Sequence, residues 1–168
     1  MQAIEGMSMP IQSKPGKFFR SQAAAGPVLA PRLLVAFGTH RERFQSATEV
    51  QQFYGIAPVI RQSGDTETVH IRTRCPKFGR QTFHELANCV LKCKSEAWAR
   101  RYYKEVKKRN GGKHHAAVRA LAFKLMRIYF ACWKNRQPYD SKRYQKALKI
   151  NGSPFREGPE GSSSSLCE

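Results

Sequence analysis

Apolar residues recurring at three- and four-residue steps, in segments punctuated by glycine and proline, restrict this chain to a mainly helical fold. The longest such segment is residues 114–135, where Val118, Leu121, Ala122, Leu125, Ile128, Tyr129 and Cys132 fall on one side of a helix. Arg119, Lys124 and Arg127 lie towards its edges, and Pro138 stops it. Residues 76–93 repeat the pattern, with Phe83, Leu86, Ala87, Val90 and Leu91 sharing a face and Pro76 in the first turn. Between them, Ser95 is the expected cap of a helix over 96–109, whose narrow stripe of Trp98, Tyr102 and Val106 is surrounded by cations and closed by Gly111-Gly112.

The N-terminal half carries shorter elements. Residues 27–37 (PVLAPRLLVAF) open with proline in the first turn and close on Gly38, which reads as a helix. Ser46 and Glu49 form a capping box that launches a short helix ending at Gly55. Ala57-Pro58 then breaks the helical period, and VIRQSGDTETVHIRTR places Ser63-Gly64-Asp65 between β-branched residues, predicting strand, tight turn and strand. Residues 141–149 add a final turn or two. The expected fold is a small, mainly α domain over residues 24–150 with a partial helix-hairpin-helix start and one short β-hairpin. Residues 1–23 are expected to be a disordered arm and 151–168 a disordered low-complexity tail.

Charge narrows the partners. Thirty Lys and Arg against 12 Asp and Glu leave a net +18 on 168 residues, an excess that strains a compact state unless a polyanion neutralises it. Nucleic acid is the expected partner. No apolar run reaches the roughly 20 residues of a membrane-spanning helix, because Arg119, Lys124 and Arg127 interrupt the longest candidate. The N-terminus has no export signal pattern, so a cytoplasmic protein with no membrane partner is expected. Five cysteines without a CxxC pair argue against a disulfide framework or a zinc finger. Cys89 and Cys93 lie one helical turn apart and make a conceivable metal cluster with His84, although apolar helix faces commonly bury thiols. A two-metal nuclease needs convergent carboxylates holding ions about 4 Å apart. The acids here (Glu42, Glu49, Asp65, Glu67, Glu85, Glu96, Glu105, Asp140) are scattered, so no metal site or cofactor is expected in this chain.

Candidate nucleic-acid contacts are Gly26, whose helix-opening amides attract phosphate, the hairpin cations Arg61, Arg72 and Arg74, then Lys77 and Arg80, the helix residues Arg100, Arg101, Lys104, Lys107 and Lys108, and Arg119. Any glycine-proline helix start resembles the first of these. Trp98 and Tyr102 read as a core stripe more readily than as base-stacking platforms. Ser63 sits among Arg61, Arg72 and Arg74, which can stabilise charge on a phosphodiester attacked by a hydroxyl. Serine before glycine is also ordinary turn chemistry, and pattern alone does not separate the two.

Taken in order, GPVLAPRLLVAFGTHRERFQSATEVQQFYGIAPVIRQSG, CPKFGRQTFHELA and HHAAVRALAFKLMRIYFACWKNRQPYD resemble the C-terminal domain of transposases of the insertion-sequence 110/116/902 group, over residues 24–150. The resemblance implies a serine nucleophile in the QSG turn, here Ser63, that forms a covalent intermediate with DNA during strand cleavage and rejoining. It also implies a resolvase-like N-terminal domain whose four acidic residues hold divalent metal such as Mg, and direction by a structured non-coding RNA. The sequence departs from that pattern in three ways. It contains no acidic domain. The glycine that usually precedes GPV is replaced within Ala23-Ala24-Ala25, and Asp65 and Glu67 follow the turn where cations are usual and would oppose a phosphate. The expectation is a truncated transposase that binds DNA or RNA, associates with a full-length transposase or with itself, and does not transpose alone. The alternative is a non-catalytic basic DNA/RNA-binding module or regulator of a complete transposase.

Overall fold

A computed structural model describes Phe19, residues 24–70 and residues 72–151; within the hairpin the side chains of Ile60, Arg61, Glu67 and Val69 lie outside the description. The described residues form six helices and one antiparallel hairpin: α1 (Leu29–Phe37), α2 (Ala47–Phe53), β1 (Val59–Ser63), β2 (Thr66–His70), α3 (Lys77–Lys92), α4 (Ala97–Arg109), α5 (His114–Lys134) and α6 (Ser141–Ile150). The fold is mainly helical, as the apolar spacing requires.

Helix α5 is the axis on which α2, α3 and α4 pack, and α1 lies on α3. The predicted stripe is buried at Val118, Leu121, Ala122, Leu125 and Tyr129, and Ala117, Met126, Phe130 and Trp133 widen it. Helix α3 answers with Phe83, Leu86, Ala87 and Val90, and α1 with Leu33, Ala36 and Phe37. Phe37 is the hub: its ring lies 5.6 Å from Phe83 and 5.5 Å from Trp133. Burial of each such side chain contributes about 1.5–3 kcal/mol. Phe19 stacks on Phe37 at 5.9 Å and is buried. The rest of the stretch expected as a disordered arm lies outside the described residues, as does the expected tail beyond Asn151.

Helix ends follow capping chemistry with some corrections. Ser46 Oγ accepts from the Glu49 amide at 3.2 Å, and the Glu49 carboxylate accepts from the Gln45 amide at 2.8 Å, a capping box that reaches one residue further back than usual. Helix α1 begins at Leu29 rather than Pro27, and tolerates Pro31 because a first-turn amide has no intrahelical acceptor. Pro76 is the N-cap of α3 rather than a first-turn residue. Ser95 is not the cap of α4. Glu96 takes that position without capping, since its buried carboxylate accepts instead from the Trp98 indole and from the Tyr139 hydroxyl at 2.9 Å. The segment after Pro138 is a full helix, not a turn or two. Asp140 caps α6 by accepting from the Lys142 and Arg143 amides, and Tyr144 docks it on Trp98 with ring centroids 4.9 Å apart.

Candidate nucleic-acid interface

The hairpin closes through a two-residue loop, Gly64-Asp65, with Ser63 paired to Thr66 and Val59 to His70. Gly64 has φ +57°, the left-handed first position of a type II′ turn that glycine adopts without a Cβ penalty. Ser63 therefore ends β1 immediately before the turn, exposed to solvent. β1 carries it about 13 Å from Val59 at the hairpin's foot. Register puts Ser63, Thr66, Thr68 and His70 on one face, where Thr68 Oγ1 and His70 Nε2 lie 3.1 Å apart. Asp65, in the turn, is exposed beside Ser63.

The foot of the hairpin is held by arginines. Arg119 of α5 donates to the carbonyls of Ile56 (3.3 Å) and Gly55 (3.4 Å), and Arg80 of α3 donates to the Arg72 carbonyl at 3.1 Å. Gln51, buried in α2, donates to the Phe123 carbonyl of α5 at 2.8 Å, so the segment entering the hairpin is tied to the central helix twice. Burial and the neighbouring Arg80 lower the Arg119 pKa from its ordinary value. Arg80 and Arg119 thus meet at the hairpin base, whereas the side chains of Arg72, Arg74 and Lys77 are exposed around it. The Arg61 side chain lies outside the described residues.

The basic helix α4 divides in two. Arg100 is turned inward, its guanidinium donating to the carbonyls of Cys93 and Lys94 at the end of α3. Arg101, Lys104 and Lys108 are exposed at i, i+3 and i+7, one stripe about 10 Å long. Lys107 is half-buried, with its ammonium 6.0 Å from the Tyr103 ring centroid. Trp98 is buried and Tyr102 half-buried, and both rings receive Lys124 of α5, at 5.6 and 4.5 Å. The aromatics of α4 therefore serve the α4–α5 seam. Burial, followed by the charge of Arg127, lowers the Lys124 pKa from its ordinary value.

Gly26 is exposed, and its carbonyl accepts from the Ala30 amide at 3.0 Å as α1 begins. The hollow beside it is also lined by Glu85, the carboxylate paired with Arg32, which opposes an anion there. Among the described residues no group of three His, Cys, Asp or Glu is placed to hold a metal ion, and Cys75, Cys89, Cys93 and Cys132 are free thiols. No helix among them is long and apolar enough to cross a membrane.

Sequence reading did not single out His84 as a partner of Arg80, or His115 at all. Both line one cavity with Arg80 and Arg119. The signal was present as two i,i+4 pairs, Arg80/His84 and His115/Arg119, on helices that pack together.

No curated protein matches the chain. A sequence profile matches residues 17–104, more than half of the chain, and spans α1, α2, the Ser63 hairpin, α3 and the first two turns of α4. By that match the chain belongs to the Transposase IS116/IS110/IS902 family.

Proposed function

We propose that this chain handles DNA in insertion-sequence transposition, with Ser63 as the nucleophile that breaks and rejoins a strand. The observation that carries the reading is the placement of Ser63: an exposed hydroxyl at the tip of a projecting hairpin, within the segment that matches the family. An exposed tip reaches a duplex without burying the rest of the domain. The bond from Ser63 Oγ to phosphorus forms as the bond from phosphorus to the leaving deoxyribose oxygen breaks. The hydroxyl proton passes to solvent and the leaving oxygen takes one up. Attack by a second DNA hydroxyl on the phosphoserine ester reverses the step and restores the serine.

The surplus of cations supports a polyanion as partner, and the exposed α4 stripe together with Arg72, Arg74 and Lys77 offers it more than one phosphate contact. The divalent metal that the resemblance implies belongs to a resolvase-like acidic domain, and the described residues here offer it no grouped ligands. Structured RNA, which the resemblance implies, and a second transposase chain are further candidate partners.

The test joins two measurements. The purified chain is titrated with fluorescent duplex DNA and structured RNA across a salt series. It is then mixed with a resolvase-like acidic domain of the same family and assayed for a covalent protein–DNA adduct. Ser63→Ala is expected to abolish the adduct and leave salt-dependent binding unchanged. An adduct that survives Ser63→Ala refutes the nucleophile, and binding without adduct in either protein favours a non-catalytic DNA/RNA-binding module.

A further inference from the structure

Two helices in this protein begin with acids or hydroxyls in the standard way: Ser46 and Glu49 open α2, and Asp140 opens α6. Helices α3 and α5, like α1 and α4, do not. Neither N-cap makes a side-chain cap, neither first turn holds an acid, and their starts carry Lys77 and Arg80, and Lys113, His114 and His115. Cations at the positive end of a helix dipole are unfavourable, and the unbonded first-turn amides remain without a partner of opposite charge.

These two starts share a cavity of about 290 Å³ lined by Arg80 and His84 from α3 and by His115, Ala116 and Arg119 from α5. Its four titratable or charged lining groups are all of basic type, and no carboxylate joins them. The charged and titratable groups acting on His84 are Arg119 and His115 across the helix seam and Arg80 on its own helix. After burial, these three hold its imidazole below the ordinary pKa. Arg80 and Arg119 are already oriented by their bonds to the Arg72, Gly55 and Ile56 carbonyls, so a ligand that reaches them meets side chains whose conformational freedom is largely spent.

We infer that the Arg80–His84–His115–Arg119 cavity is a phosphate-binding site at the base of the Ser63 hairpin, and that its occupant in the working complex is a backbone phosphate of bound nucleic acid. The assignment rests on the nucleic-acid reading above and deepens it. The guanidinium N–H groups of Arg80 and Arg119 that those carbonyls leave over, with two imidazoles, suit the oxygens of a phosphate, and the amides opening α5 would add dipole-aligned donors. A phosphate seated there fixes where the backbone enters, and β1 then presents Ser63 about 13 Å from the foot, a few nucleotides along a strand at 3.4 Å each. Binding an anion stabilises the protonated imidazole of His84, so occupancy strengthens as pH falls.

The test follows the ring protons of the five histidines by NMR in the full chain, titrated separately with inorganic phosphate and with a short duplex, at pH 6 and pH 8. Both titrants are expected to move the His84 and His115 resonances, more strongly at pH 6, and to raise the pH at which His84 titrates. The variant H84Q/H115Q, which keeps both structural arginines, is expected to weaken phosphate binding by about tenfold at pH 6. If phosphate moves these resonances and the duplex does not, the site stands as an oxyanion site and its nucleic-acid occupant is overturned. If the duplex binds with a steep salt dependence and neither titrant moves them, the cavity assignment fails while the nucleic-acid reading survives. If the duplex does not bind at all, the broader reading fails.

Discussion

Gly79→Ala tests the packing that positions the whole site. In the first turn of α3 this change normally stabilises by about 1 kcal/mol, because alanine favours the helix over glycine. Here the sign reverses. A Cβ on Gly79 would lie 2.1 Å from both Cδ1 and Cε1 of Tyr54, more than an ångström inside ordinary contact. The ring has nowhere to retreat: Tyr54 is 4% exposed, its hydroxyl donates to the Ala36 carbonyl at 2.6 Å, and its face is bounded by Phe53 and Phe83. Overpacking costs about 1–3 kcal/mol, and loss of the Tyr54 hydrogen bond adds about 1 kcal/mol. Set against the propensity gain, the expected net loss is about 2 kcal/mol, or a fall in Tm of about 8 °C, read by circular dichroism during heating and by the urea midpoint. A Tyr54→Ala background removes the obstacle, and there Gly79→Ala should become neutral or stabilising. A rise in Tm in the native background, or an equal fall in the Tyr54→Ala background, refutes the close-approach argument.

Three further outcomes follow from the same geometry. Ser46→Ala removes the hydroxyl that accepts from the Glu49 amide and should cost about 1 kcal/mol in urea unfolding, with no change in the slope of DNA affinity against salt. The triple variant R101Q/K104Q/K108Q neutralises the exposed α4 stripe; it should flatten that slope by about 2–3 at unchanged helix content, and an unaltered slope would remove α4 from the interface. The lowered pKa of His84 means that the unfolded chain takes up the proton first as pH drops. Stability is therefore unaffected by this group above about pH 6.5 and declines below it. His84→Gln should remove that part of the decline, seen as a smaller loss of urea midpoint between pH 7 and pH 5, and wild-type and variant curves that stay parallel would contradict the burial argument.

The helices were legible because their information is local. Leu121, Leu125 and Tyr129 share a face by spacing alone, and Ser46 with Glu49 marks a helix start whatever lies elsewhere. The Ser63-Gly64-Asp65 turn announced itself in the same way, since only the left-handed first position needs the glycine. What sequence patterning missed depends on contacts between distant segments. Phe19 belongs to a stretch without apolar period, yet Phe37 offers it a ring to stack on. Ser95 looked like a cap because a hydroxyl precedes a helical pattern, but Trp98 and Tyr139 draw the Glu96 carboxylate inward and leave Ser95 one residue outside the helix end. The helix after Pro138 looked short because nothing in its own residues reveals that Tyr144 has Trp98 to dock on.

The same distinction governs the charges on which the proposed function rests. A sequence shows that arginine is present, not what its guanidinium already holds. Arg100 and Arg101 are adjacent in a basic helix and looked equivalent; one is turned in to carbonyls at the end of α3 and the other stands on the exposed stripe. Arg80 and Arg119 looked like surface phosphate contacts separated by 38 intervening residues. Packing of α3 on α5 makes them a pair that grips the hairpin base through three backbone carbonyls and still lines a cavity with two imidazoles. Like charges brought together where α3 packs on α5 oppose one another in the isolated domain. An anion in the proposed site would offset that repulsion, next to the hairpin base that the same two arginines already hold.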